Sequence, residues 1–137
     1  MTKLTAILSA IAFVLLSQMA SAEIVALPET VMSKEGLYKV ELKAEDMATG
    51  VGPIHAWVAT VTDSDGKPVE DAKIAVNGGM PGHGHGLPTA PEMTEVLGPG
   101  VYKIDGVKFS MVGAWELRLT IEAPAGTDEA VFAFEVK

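Results

Sequence analysis

Apolar and polar side chains alternate with a period of two over most of this chain, the mark of strands that bury one face. Tyr38, Val40, Leu42 and Ala44 interleave with Lys39, Glu41, Lys43 and Glu45, and Trp115, Leu117, Leu119 and Ile121 with Glu116, Arg118, Thr120 and Glu122. After a turn region at residues 124–128, Ala130, Phe132, Phe134 and Val136 repeat the pattern, with Val131 and Ala133 making the other face less polar. Residues 54–62 are apolar on both parities and rich in Val, Thr and Trp, which predicts a central strand. Shorter runs predict strands at residues 72–76, 93–97, 101–104 and 107–111. Turn chemistry separates these runs: Asp63, Ser64, Asp65 and Gly66, then Gly98, Pro99 and Gly100, then Asp105 and Gly106. About seven short strands with no amphipathic helix predict an all-β fold, an antiparallel immunoglobulin-like β-sandwich, with a small closed barrel as the alternative. Its two layers would bury Tyr38, Trp57, Trp115, Phe132 and Phe134 between them.

The amino terminus breaks the pattern. A basic start at Lys3, an apolar run over residues 4–16 and the small-x-small sequence Ala20, Ser21, Ala22 predict a signal peptide over residues 1–22. The run is too short for a membrane span of about 20 apolar residues. The expected product is a single β-sandwich domain, residues 23–137, periplasmic or secreted, with no membrane insertion after cleavage.

Charge and cysteine content then narrow the chemistry. The chain holds 10 Lys and Arg against 18 Asp and Glu. Lys3 is the sole charge in the leader, so 9 basic and 18 acidic residues remain, which disfavours nucleic acid and anionic lipid as partners. Cysteine is absent. The core must therefore hold by packing, and any metal must be held by His, Met, carboxylate or backbone.

All three histidines fall between residues 55 and 85, and two of them sit in a glycine-rich and proline-rich stretch, residues 77–92, that reads as a long loop after Asn77, Gly78 and Gly79 end a strand. Within it runs Met80, Pro81, Gly82, His83, Gly84, His85 and Gly86. Thioether sulfur and imidazole together suit copper, Cu(I) above all, with Cu(II) or zinc as further possibilities. In an extended segment His83 and His85 would face the same way, and His55 and Met111 are the candidates to complete the site, with Met93 a weaker one.

These residues resemble the FixH and YtkA-like periplasmic domain family. The likeness spans roughly residues 52–121: Asp65, Gly66, Lys67, Pro68 and Val69, then the Met80-Pro81 step with its histidine loop, then Gly98 to Tyr102, then Phe109, Ser110 and Met111 leading to Gly113, Ala114 and Trp115. The resemblance implies a small β-sandwich with a copper-associated accessory role, in which Met80, His83 and His85 match the family's loop. FixH-type members keep a membrane anchor where this chain has a signal-like segment, which favours a soluble periplasmic binder over direct oxidase assembly.

An enzyme is not expected. The chain lacks a Gly-x-Ser-x-Gly elbow, a cysteine nucleophile, an HExxH helix and a phosphate-binding glycine fingerprint, and the acid pairs Glu45–Asp46 and Asp128–Glu129 read as solvated charge. Two functions remain: an exported copper carrier or buffer that passes its ion to a protein acceptor, and a metal-independent interaction or structural module.

Overall fold

The computed structural model describes residues 24–25, 30–45 and 50–137, so the leader expected at residues 1–22 and Asp46 lie outside the described residues. Seven long strands carry the fold: β3 (Tyr38–Ala44), β4 (Ile54–Asp63), β5 (Lys73–Met80), β7 (Glu92–Gly98), β8 (Val101–Lys108), β9 (Gly113–Ala123) and β10 (Gly126–Val136). Three stubs join them, β1 (Ile24–Val25), β2 (Thr30–Met32) and β6 (His85–Gly86). Neighbouring strands all pair antiparallel, in the order β1-β10-β9-β5-β7-β8-β4-β3-β2, with β6 added to β5. β5 and β7 meet at a single pair, Ala75 with Glu92, and this seam divides the sheet into two facing layers. At the far margin the Lys34 N–H donates to the Glu129 carbonyl at 2.9 Å, so the sheet nearly closes into a barrel-like sandwich.

The expected strands hold because alternation decides them. β4 is central, flanked by β3 and β8, and the five aromatic residues expected between the layers are all buried. Two turn expectations are corrected. Asp105 and Gly106 do not reverse the chain: β8 runs through them, and the two residues together oppose Ala56 between the pairs His55–Val107 and Trp57–Ile104. This is a β-bulge, with Gly106 at φ +90°. An Asp-Gly step offers the positive φ that both a turn and a bulge require, and here the bulge shifts the alternation so that Ile104, Val107 and Phe109 all point inward. Likewise β10 begins at Gly126, leaving Pro124 and Ala125 as the whole β9–β10 turn.

That earlier start places Asp128 inside a strand on its inner face, which corrects its reading as solvated charge. Asp128 is only 5% exposed. Its carboxylate accepts the backbone N–H groups of Glu35, Leu37 and Glu129 at 2.7–3.2 Å, and thereby ties the β2–β3 turn to β10. Burial alone would raise its pKa; the Ser33 hydroxyl and the three backbone donors outweigh that and hold it below the usual 3.8. Nearby, burial first and the Asp128 charge second push the Tyr38 phenol up, while its hydroxyl donates to the Gly126 carbonyl at 2.6 Å.

Removing this acceptor strands buried donors, so Asp128→Ala is expected to cost about 1–3 kcal/mol in chemical denaturation. Because the folded pKa is depressed, the stabilisation is present above the unfolded value near 4 and fades as pH falls through the folded value. Wild type and variant should therefore converge in stability below about pH 4; a gap that persists unchanged at acid pH would show that the carboxylate's charge does not contribute.

Candidate metal centre

The stretch at residues 77–92 is not a structureless loop. β5 continues through Asn77, Gly78 and Gly79 to Met80, and the chain then doubles back to pair as β6, with Gly79 opposite Gly86 and Met80 opposite His85. Glycine permits this on both sides: a Cβ on Gly78 would run into the Glu116 carbonyl of β9, and one on Gly79 into the His85 carbonyl of β6. Between the two strands lies a single 3-10 turn, Pro81–His83, entered by proline and closed by Gly84 in the left-handed region at φ +67°. The Gly84 N–H returns to the Met80 carbonyl at 3.0 Å, and Leu87 N–H to the Gly78 carbonyl at 3.2 Å.

His83 and His85 are therefore not two positions of one extended segment. His83 ends the turn and His85 opens β6, yet their rings lie 5.9 Å apart between centroids, tilted by 40°. Both are exposed. The His85 Nδ1 stands 3.0 Å from the Gly86 carbonyl, which can only accept, so Nδ1 donates in that bond and Nε2 is not used by it. The His85 ring meets the Trp115 indole edge-on at 5.8 Å.

Met80 and the Met111 backbone both lie near the start of β9. Met80 is 1% exposed, and its Cε lies where a Cβ on Gly113 would come within 2.7 Å. The start of β9 thus makes room for the thioether by having no side chain at Gly113, whose φ of +128° also favours glycine. Met111 is 38% exposed, and its carbonyl accepts the Trp115 indole N–H at 3.0 Å. Met80, His85 and the Met111 carbonyl accordingly meet at the first residues of β9, with the His83 ring beside that of His85.

The structure does not bring His55 into this group. His55 is buried, with Nε2 donating to the Gly50 carbonyl at 3.0 Å. Its ring touches Phe109 at 5.8 Å, Phe109 touches Trp115 at 5.2 Å, and only then comes His85, so two aromatic rings intervene. Met93 lies on β7 opposite Ile104, packed against the core. Sequence reasoning saw Trp115 only as a core residue. Its burial bears that out, but its contact with His85 follows from the β5–β9 and β5–β6 registers, which periodicity does not reveal, and its bond to the Met111 carbonyl from the local turn before β9.

Among the described residues no three His, Cys, Asp or Glu side chains come together in a metal-binding group, and the soft donors at this end are the two imidazoles and the Met80 thioether. An imidazole-bound ion lies roughly 3 Å from the ring centroid, given a metal–nitrogen distance of about 2 Å. Two rings sharing one ion then stand about 5–6 Å apart, and the observed 5.9 Å fits. A cleft of about 340 Å³ opens alongside, bounded by Met80, His85, Asn77 and the Glu116–Arg118 pair. Arg118 holds the Glu116 carboxylate at 3.0 Å, which occupies the acid nearest the loop and leaves the soft donors as the distinctive chemistry.

Comparison with known proteins gives one positive result: the family model described as YtkA-like matches residues 32–120, from β2 into β9 and across the whole histidine loop. No curated protein and no solved structure matches the chain. The match covers well over half of the sequence, and the chain belongs to the YtkA-like family.

Proposed function

We propose that this protein is an exported copper-binding domain that carries or buffers Cu(I) on His83, His85, Met80 and Met111, without catalysis. One observation carries the reading: the hairpin at residues 79–86 sets two imidazole rings 5.9 Å apart beside a buried thioether, with a second methionine tethered to the same indole that packs on His85. Imidazole and thioether without thiolate is a donor set that favours Cu(I) over zinc or Cu(II). The YtkA-like family points to an exported domain, and its all-β members are not a known enzyme family. No helix among the described residues is long and apolar enough to cross a membrane.

Carriage rather than storage follows from the unequal burial of the ligands. Met80 is enclosed and anchors one side of the ion, whereas His83 and His85 are exposed on a short turn. An incoming ligand from an acceptor protein can displace the imidazoles one at a time while the thioether still holds the ion. His55 plays no part in this scheme; its ring is placed to support Phe109.

Anaerobic titration of the purified protein with Cu(I) against a competing chelator tests the reading, beside the double variant His83→Ala, His85→Ala. One equivalent should bind, and the double variant should lose more than about 100-fold in affinity, since even hydrogen-bond partners of ligands are worth 10–100-fold. Equal, weak uptake by both proteins would overturn the copper reading and leave the hairpin as a surface for a protein partner.

A further inference from the structure

We propose that Trp115 is a positioning residue of this site, the side chain that sets where His85 and Met111 stand relative to each other and that senses the bound ion. The inference rests on the copper reading above and assigns a role within it. Trp115 is 1% exposed and wedged between Phe109 and the hairpin, so its indole has little freedom to move. From that fixed position it makes two directed contacts. Its ring meets His85 nearly perpendicular, at 72°, which restrains rotation of the imidazole about its own bond. Its Nε1–H donates to the Met111 carbonyl at 3.0 Å, which restrains the turn that carries the exposed thioether.

The His85 ring and the Met111 side chain have few restraints of their own among the described residues. His85 has one hydrogen bond of its own, to the adjacent Gly86 carbonyl, and that bond moves with the hairpin. Met111 lies between the bulged β8 and the start of β9, in a segment without strand pairing of its own. Trp115 is thus the buried body shared by two exposed residues, and Gly113, two residues before it, admits the end of Met80 to the same corner. A ring packed against a ligand is also near enough to the ion for its fluorescence to respond.

Three variants separate this role from general packing: Trp115→Phe, which keeps a ring but loses the N–H, Met111→Ala, which loses the thioether but keeps the carbonyl, and the two combined. Cu(I) affinity should fall about tenfold in each single variant, and the double variant should be no weaker than the worse single one, because both remove the same restrained ligand. Additive losses, or an unaffected Trp115→Phe protein, would overturn the proposal while the copper reading stood on one-equivalent binding by the wild type. If the wild type binds no Cu(I), both fall together. A second measurement leaves Trp115 intact: in Trp57→Phe, which removes an indole whose Nε1 has no hydrogen-bond partner among the described residues, Trp115 is the remaining tryptophan. Its emission should quench saturably at one equivalent of Cu(I) or of redox-inert Ag(I); one-equivalent binding with unchanged emission would also overturn the proposal.

Discussion

The packing of Trp115 against Phe109, and of Phe109 against Phe134 at 5.4 Å, is the contact on which the rest of the molecule depends. A cysteine-free domain of this size has no covalent staple, so the two layers must be held by the apolar surface they bury against each other. At the histidine end that surface is aromatic: Phe109 follows β8 in one layer, Trp115 and Phe134 belong to β9 and β10 in the other. The same rings form the wall on which the hairpin rests. Fold stability and site geometry are therefore one interaction seen from two sides, and the polar end of the wall, the indole N–H, is spent on the Met111 carbonyl.

Glycine supplies the complementary constraint. Strands approach within hydrogen-bonding distance on both edges of β5 at Gly78 and Gly79, and a side chain at Gly113 would compete with Met80 for the same space. In each case a Cβ is missing, and the Met80 side chain or a neighbouring strand occupies the space. The opposite end of the sandwich is secured by other means. There Asp128 gathers three backbone donors and Tyr38 and Tyr102 send their hydroxyls to backbone carbonyls, a polar closure with no soft donor in it. The two ends of the molecule thus differ in chemistry, one closed by carboxylate and phenol hydrogen bonds and the other carrying imidazole and thioether side chains.

Much of this was legible from residue order. Alternation located the long strands, and the run rich in β-branched residues at 54–62 marked β4 as central, which its pairing with β3 and β8 bears out, although only its odd-numbered side chains are fully buried. The loop histidines and Met80 stood out by residue type alone. What sequence could not supply was long-range register. Gly78 and Gly79 look like strand terminators until β6 and β9 are placed beside them; Asp105–Gly106 looks like a turn until β4 lies opposite; Asp128 looks exposed until β10 is seen to begin two residues earlier. Local chemistry is the same in both readings of each position, and only the partner strand decides between them. For the same reason His55, two residues from Trp57 and the right type for a ligand, reads as a candidate in sequence and stands two rings away from His85 in space.

X-ray absorption at the copper edge of the Cu(I)-loaded protein tests most directly whether thioether and imidazole meet at the start of β9. An ion held by His83, His85 and the methionines gives an edge typical of Cu(I) with separate nitrogen and sulfur shells, and the sulfur shell weakens in Met80→Leu. A spectrum with nitrogen and oxygen scatterers alone would contradict a mixed site and place the ion on surface histidines without the buried methionine.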